Sequence, residues 1–382
     1  MYRGGEAGQP HTWTQRVTPV LPLSNLIGDN PNMPDIDRAL RVGVIGCGAF
    51  GRNHTRVYRG LQDDPSLNVN LAGVVDADKA RAATIAKEFG TQGFGSVGEL
   101  VAAGVDAVSV AVPTVAHLPV GRELMEAGVD VLIEKPVAGT LAEADELFSI
   151  AKQHDRIAQV GHLERFNPAV RATLPLLTKP MFFEVHRLSV FTPRSLDVDV
   201  VLDLMIHDID IVLTMTKSPV KEVRAVGLPI LSKKVDIANV RLEFESGCVA
   251  NFTASRVSTE RVRKLRFFQP RQYVSLDFSR QDVLVLTVDK DAGSSGDFDP
   301  FNPASVASIA FPGITPFKPR IERDEPLRAE LVSFLRAVRD STTPEVSLKQ
   351  GREALAVALQ IVDAVAQHSQ RAHLEELTGG VS

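Results

Sequence analysis

Residues 41–51 read Arg-Val-Gly-Val-Ile-Gly-Cys-Gly-Ala-Phe-Gly. An apolar run stops abruptly at Gly46-Cys47-Gly48-Ala49-Phe50-Gly51, and residues 52–61 then have helical character. Strand, glycine turn and helix in that order make a loop with a purpose. Gly46 permits the tight turn, Gly48 lets a pyrophosphate approach the backbone, and Gly51 lets the helix pack on the strand. The helix start adds free N–H groups and a positive dipole end. A glycine pattern alone is weak. Here Asp76 closes the next strand, at the place where a carboxylate can accept the adenosine ribose hydroxyls and repel a 2′-phosphate, so the site is read as taking NAD in preference to NADP. Asp76 could equally serve as a turn or helix-capping residue together with Asp78.

Working outward, apolar runs at 70–75, 105–112, 129–133 and 157–160 alternate with helical spacing at 78–89, 117–127 and 140–154. That rhythm predicts a doubly wound parallel sheet of the Rossmann type, covered on both faces. After residue 161 the rhythm changes. One helix at 199–216 is followed by alternating stretches at 220–227, 237–245, 248–257, 263–268, 272–278 and 282–288, with another ahead of it at 181–190. They predict a mostly antiparallel sheet, hence an α/β domain followed by an α+β one. Phe252, Val274 and Leu276 are assigned to a face that needs cover from a second subunit, giving a homodimer or homotetramer. The expected organisation is a flexible tail at 1–38, a dinucleotide domain at 39–160, a substrate and oligomerisation sheet at 161–325, and helices at 326–382 folding back on the first domain. Residues 290–320 read as a loop. Met33 stands just ahead of the first strand as an alternative start.

The composition is that of an ordinary globular protein: 382 residues, 44% hydrophobic, 23% charged, net charge −5. The slightly acidic balance argues against a nucleic-acid partner. No apolar run reaches the roughly 18 residues of a membrane span. Two cysteines far apart make neither a disulfide framework nor a zinc cluster, and fit a reducing cytoplasm.

Three further elements carry chemistry. Glu134-Lys135-Pro136 ends a parallel strand, where ligands of open α/β sheets bind, and a lysine there can face a developing alkoxide. By itself the tripeptide could equally be a solvated strand end. In Asp203-Leu-Met-Ile-His207-Asp208-Ile-Asp210, Asp203 and His207 are four apart, so on an α-helix the carboxylate would orient the imidazole as a general base. The rivals are a helix without chemistry and a zinc pair; the latter lacks a Glu-x-x-His partner and a nearby cysteine, so no metal is expected. Asp208 and Asp210 read as packing charges. Gly161-His162-Leu-Glu164-Arg165-Phe166-Asn167-Pro168 falls at the domain junction, where Arg165 and Asn167 are natural donors to a polar ligand, or parts of a hinge.

These elements, with Val112-Pro113-Thr114-Val115-Ala116-His117, resemble the glucose-fructose oxidoreductase / inositol dehydrogenase / rhizopine-catabolism family over about residues 38–370. The resemblance implies an NAD-dependent sugar dehydrogenase with Lys135 beside nicotinamide and substrate, and Asp203 and His207 at the reacting hydroxyl. It implies cofactor contacts from Gly46, Gly48, Ala49, Phe50, Gly51, Asp76, Pro113, Thr114, His117, Glu134 and Lys135, and substrate contacts from Lys135, Arg165, Asn167 and His207. The phrases GHLERFNPAV and DLMIHDIDI are most similar to the branch that oxidises nucleotide-linked amino sugars, whose ketone is later aminated for lipid A carrying a 2,3-diamino sugar. An inositol or simple-sugar dehydrogenase is the alternative within the family. A non-catalytic nucleotide-binding regulator on the same fold is the alternative outside that class.

Overall fold

The computed structural model describes residues 38–191, 198–288 and 314–373. The expected tail therefore lies almost wholly outside the described residues, as does most of the expected loop at 290–320.

The first unit of structure alternates strictly. Its elements are β1 (Leu40–Ile45), α1 (Ala49–Leu61), β2 (Val69–Val75), α2 (Lys79–Phe89), β3 (Gln92–Phe94), α3 (Val97–Ala102), β4 (Ala107–Val110), α4 (His117–Glu126), β5 (Asp130–Glu134), α5 (Leu141–Gln153) and β6 (Ala158–Gly161). The short pair β3 and α3 carries too little periodicity to be read from sequence. All six strands are parallel, in the order β3-β2-β1-β4-β5-β6. The order reverses between β1 and β4, which is where such sheets open a ligand crevice at their carboxyl ends. β4 and β5 are buried at every residue, as strands covered on both faces must be.

A short helix, α6 (Pro168–Thr173), leads to β7 (Phe182–Val190) and then to α7 (Ile206–Thr216). The strands β8 (Val220–Leu228), β9 (Ile237–Phe244), β10 (Val249–Ser258), β11 (Val262–Gln269), β12 (Gln272–Asp277), β13 (Asp282–Val288) and β14 (Ile314–Phe317) complete a second sheet. Its order is β14-β13-β12-β11-β7-β10-β9-β8. Every pairing is antiparallel except β7 with β10. β14 falls inside the stretch expected to be loop.

The alternation along these strands sets one face inward, but not the assignment made above. Phe252, Val274 and Leu276 are fully buried in a core with Phe183, Val240 and Phe267, under α7 and the last helix. The outer face instead carries Phe182, Phe268 and Tyr273, whose rings stack at 5.7 and 5.1 Å.

The chain ends in α8 (Pro326–Asp340) and α9 (Leu348–Arg371). α8 packs Leu331, Phe334 and Leu335 against the α1 side of the parallel sheet. α9 serves both sheets: Leu348 and Leu355 join the parallel-sheet core, while Ala358, Ile361 and Val365 join the second. Glu330 of α8 is fully buried and its carboxyl oxygens have no protein partner. Burial, and then the charges of Glu134 and Asp210, hold its pKa well above the usual 4.5. The folded chain thus keeps a proton that the unfolded chain loses near pH 4.5, so this group costs stability as pH rises, by up to about 1.4 kcal/mol per pH unit. Glu330→Gln removes that cost. Its melting temperature should gain on the unmutated protein progressively from pH 5 to pH 8, and a gap that stays constant with pH would contradict the neutral-acid assignment.

Candidate active site

The glycine loop is shaped from both sides. Gly46 has φ +92°, and a Cβ there would stand 2.4 Å from the Ala111 carbonyl oxygen. A Cβ on Gly51 would meet the Gly46 carbonyl oxygen at 1.6 Å, so loop and helix touch through bare backbone. Gly48 differs: no protein atom lies within 4 Å of its Cβ position, so internal packing does not explain this glycine. Gly48 is also the N-cap of α1, with no side-chain cap and no acid in the first turn. Free N–H groups at a positive helix end, facing open space, fit a pyrophosphate.

Asp76 closes β2 over this loop. Its Oδ2 accepts the Cys47 N–H at 2.6 Å and its Oδ1 accepts the Asp78 N–H at 2.8 Å. It is Asp78, not Asp76, that caps α2. Arg81 stands 3.5 Å from the Asp76 carboxylate. Burial pushes the neighbouring Cys47 thiol up to about 12, and that of Cys248 to about 11, so neither offers a thiolate at neutral pH.

The carboxyl ends of β4 and β5 stand beside the loop. After β4, Pro113 and Thr114 enter a 3₁₀ turn, and His117 is buried with its ring nitrogens 3.0 Å from the carbonyls of Val112 and Pro136. His117 thus stands between the two strand-end loops; burial holds it below the usual histidine range, and as a neutral ring it donates to one of the two carbonyls. Glu134 is buried, and its Oε1 lies 2.9 Å from Nε2 of His54 on α1. Lys135 follows, before a cis bond to Pro136. Its Nζ donates to the Asp203 backbone carbonyl at 2.7 Å and lies 3.5 Å from the Asp203 carboxylate.

That contact corrects the expected pairing of Asp203 with His207. Residues Val201–Met205 form a π-helical turn. The wider turn shifts the four-residue register, so Asp203 turns to Lys135 and forms no hydrogen bond with His207. His207, in the first turn of α7, keeps a buried Nδ1 with no protein partner. Burial first, then the charges of Lys135 and Arg187, hold it well below the ordinary pKa of 6.5. It is a neutral imidazole, able to accept a proton.

Arg165 and Asn167 sit differently from the ligand-donor reading. Arg165 is buried and grips Asp210 with two bonds of 2.6 and 2.9 Å. Asn167 caps α6, accepting the Ala169 N–H, and donates to Glu164 and to the Phe278 carbonyl. The same block reaches the second sheet. Arg187 of β7 clasps Asp208 at 2.8 and 2.7 Å and Glu164 at 3.0 Å. Two arginine–aspartate pairs therefore fix α7 on either side of His207. Sequence reasoning missed Arg187 and His54, because their partners are distant in the chain, and it quoted His162 within the 161–168 block without giving it a role. The close spacing of Asp208 and Asp210 around His207 was the available signal. Among the described residues no His/Cys/Asp/Glu group could hold a metal ion.

Arg165→Ala would leave Asp210 buried and unpaired, a loss of about 3–5 kcal/mol. A clear fall in melting temperature is expected. A variant as stable as the unmutated protein, with only a raised KM, would restore the ligand-donor reading.

A glycine loop over a helix start, an acid closing the second strand, and a lysine and neutral histidine at the sheet edge define a dinucleotide-dependent oxidoreductase. Comparison with known proteins agrees. A model described as "Oxidoreductase family, NAD-binding Rossmann fold" matches residues 40–162, and one described as "GFO/IDH/MocA C-terminal domain" matches residues 182–271. The chain belongs to this glucose-fructose oxidoreductase / inositol dehydrogenase / MocA family. It is 36% identical over 333 residues to a UDP-N-acetylglucosamine 3-dehydrogenase of Acidithiobacillus ferrooxidans, covering 87% of this chain and 99% of the relative. A solved structure of UDP-N-acetylglucosamine 3-dehydrogenase from that organism superposes with a TM-score of 0.76 at 35% identity, over 86% of this chain and 98% of the other. A myo-inositol dehydrogenase of Streptomyces leeuwenhoekii is 33% identical over 201 residues, 49% of this chain and 59% of the relative. An oxidoreductase domain protein from Kribbella flavida shares the fold, with a TM-score of 0.73 at 19% identity, over 87% of this chain and 98% of the other.

Proposed function

We propose that the protein oxidises the 3-hydroxyl of UDP-N-acetylglucosamine to a ketone, with NAD as cofactor. The observation that carries the reading is the hydrogen bond from Lys135, at the carboxyl edge of the parallel sheet, to the Asp203 carbonyl in the turn that starts the His207 helix. The near full-length likeness to a UDP-N-acetylglucosamine 3-dehydrogenase supplies the substrate class. The ketone would then suit a later amination, as in lipid A carrying a 2,3-diamino sugar.

Bound nicotinamide supplies the hydride acceptor for the sugar carbon. His207 takes the hydroxyl proton, for which it must be neutral beforehand. Lys135 meets the alkoxide charge as it grows, and Asp203 holds the lysine in place. Gly46–Gly51 and the start of α1 would cradle the pyrophosphate, with Pro113, Thr114 and Glu134 the candidate cofactor contacts at the ends of β4 and β5. Asp76, fixed by two backbone N–H groups, would set its negative charge toward the adenosine ribose and so favour NAD over NADP. Two buried free thiols suit a reducing cytoplasm. Among the described residues no helix is long and apolar enough to cross a membrane.

The aromatic patch of Phe182, Phe268 and Tyr273 on the outer sheet face supports pairing of two subunits through their second sheets. Light scattering at micromolar concentration should give the mass of a dimer or tetramer, and the mass of one chain would sink this part of the proposal.

The activity is tested with a panel of UDP-sugars, myo-inositol and simple sugars, each with NAD⁺ and with NADP⁺. Reduction of NAD⁺ with UDP-N-acetylglucosamine is expected. Turnover of myo-inositol alone would move the protein to the inositol branch, and no turnover of any sugar would favour a binding protein. Lys135→Ala and His207→Ala should each lower kcat by on the order of 10²-fold, because both act on charge or protons that move in the transition state. NAD⁺ affinity should change far less. Near-normal kcat in a folded variant would remove that residue from the chemistry.

A further inference from the structure

The π-helical turn leaves His207 without the carboxylate that the four-residue spacing promised, and something else must set its orientation. A second imidazole stands edge-on to it. The rings of His162 and His207 lie 6.4 Å apart between centroids, with planes at 90°. His162 follows the end of β6, is 1% exposed, and neither of its ring nitrogens has a protein partner. With Nδ1 of His207, three buried imidazole nitrogens on two neighbouring rings go unmet by protein. Each such atom carries its full desolvation penalty if nothing meets it. No direct hydrogen bond joins the rings, so a link between their nitrogens needs a bridging solvent oxygen.

We infer that His162 is a positioning residue: through one bridging water it accepts the Nδ1–H of His207, leaving the Nε2 lone pair of His207 to face the sugar hydroxyl. This rests on the dehydrogenase reading of the site. The charges facing the pair are Asp210 and Arg165 behind His162, Lys135 and Glu134 from the end of β5, and Arg187 and Arg263 from the second sheet. Burial, the largest influence on His162, keeps it below the usual histidine range, so it is a neutral ring with a lone pair to offer.

Two variants separate positioning from packing. His162→Phe keeps a ring and removes both nitrogens. His162→Gln keeps an acceptor and gives up the ring. If His162 positions His207, the Phe variant loses at least about tenfold in kcat with KM little changed. The acid limb of its kcat/KM profile moves to lower pH, because the His207 imidazolium loses an acceptor. The Gln variant keeps most of the activity. The reverse pattern, an active Phe variant and an impaired Gln variant, overturns the inference in favour of packing. A readout without substrate comes from ¹⁵N shifts of the His207 ring in the holoprotein. The Nδ1–H tautomer is expected in the unmutated protein and a mixture in His162→Phe; an Nε2–H tautomer in the unmutated protein overturns the inference. If the tautomers follow expectation while no sugar is oxidised, the histidine pairing stands and the dehydrogenase reading falls.

Discussion

The Lys135 ammonium resting on the backbone carbonyl of Asp203 joins the two halves of the site. On one side, Lys135 directly follows a fully buried parallel strand, whose last residue, Glu134, is held by His54 from the glycine-loop helix. On the other side, Asp203 lies in the wide turn that starts the helix bearing His207. A backbone carbonyl cannot swing away as a side chain can, so this one hydrogen bond sets the lysine relative to the turn and hence to the histidine. Both ends of the bond are then secured by buried polar contacts rather than by loops.

The stiffness around that bond is electrostatic. Arg165 with Asp210 and Arg187 with Asp208 and Glu164 are almost wholly withdrawn from solvent. Such pairs add little net stability over apolar packing, yet breaking one leaves an uncompensated charge that costs several kcal/mol. Their value here is in register. They flank His207 at positions one and three residues on, so α7 cannot rotate or slide without tearing one of them. The block Gly161–Pro168, which looks like a ligand-binding stretch in sequence, is the seat of this clamp.

The glycine loop, the alternating strands and the switch to a second sheet could all be read from the sequence, because each depends on neighbours a few residues away. The placement of Lys135 just after a strand and of His207 early in a helix was legible for the same reason. What escaped depends on partners far along the chain. His54 meets Glu134 80 residues on, and Arg165 meets Asp210 45 residues on, and no periodicity announces either. The face of Phe252, Val274 and Leu276 was misassigned because alternation says that two faces differ, not which one α7 and α9 cover. The Asp203–His207 spacing misled because it assumes 3.6 residues per turn, and the chain uses a π turn at that point.

Under the proposed function, hydride would leave C3 of a UDP-linked sugar for a nicotinamide held beside Lys135. The most direct measurement uses UDP-N-acetylglucosamine deuterated at C3 with unlabelled NAD⁺, and mass spectrometry of both products. One deuterium is expected in the reduced nicotinamide and none in the ketone. Reduced nicotinamide that carries no deuterium would contradict it.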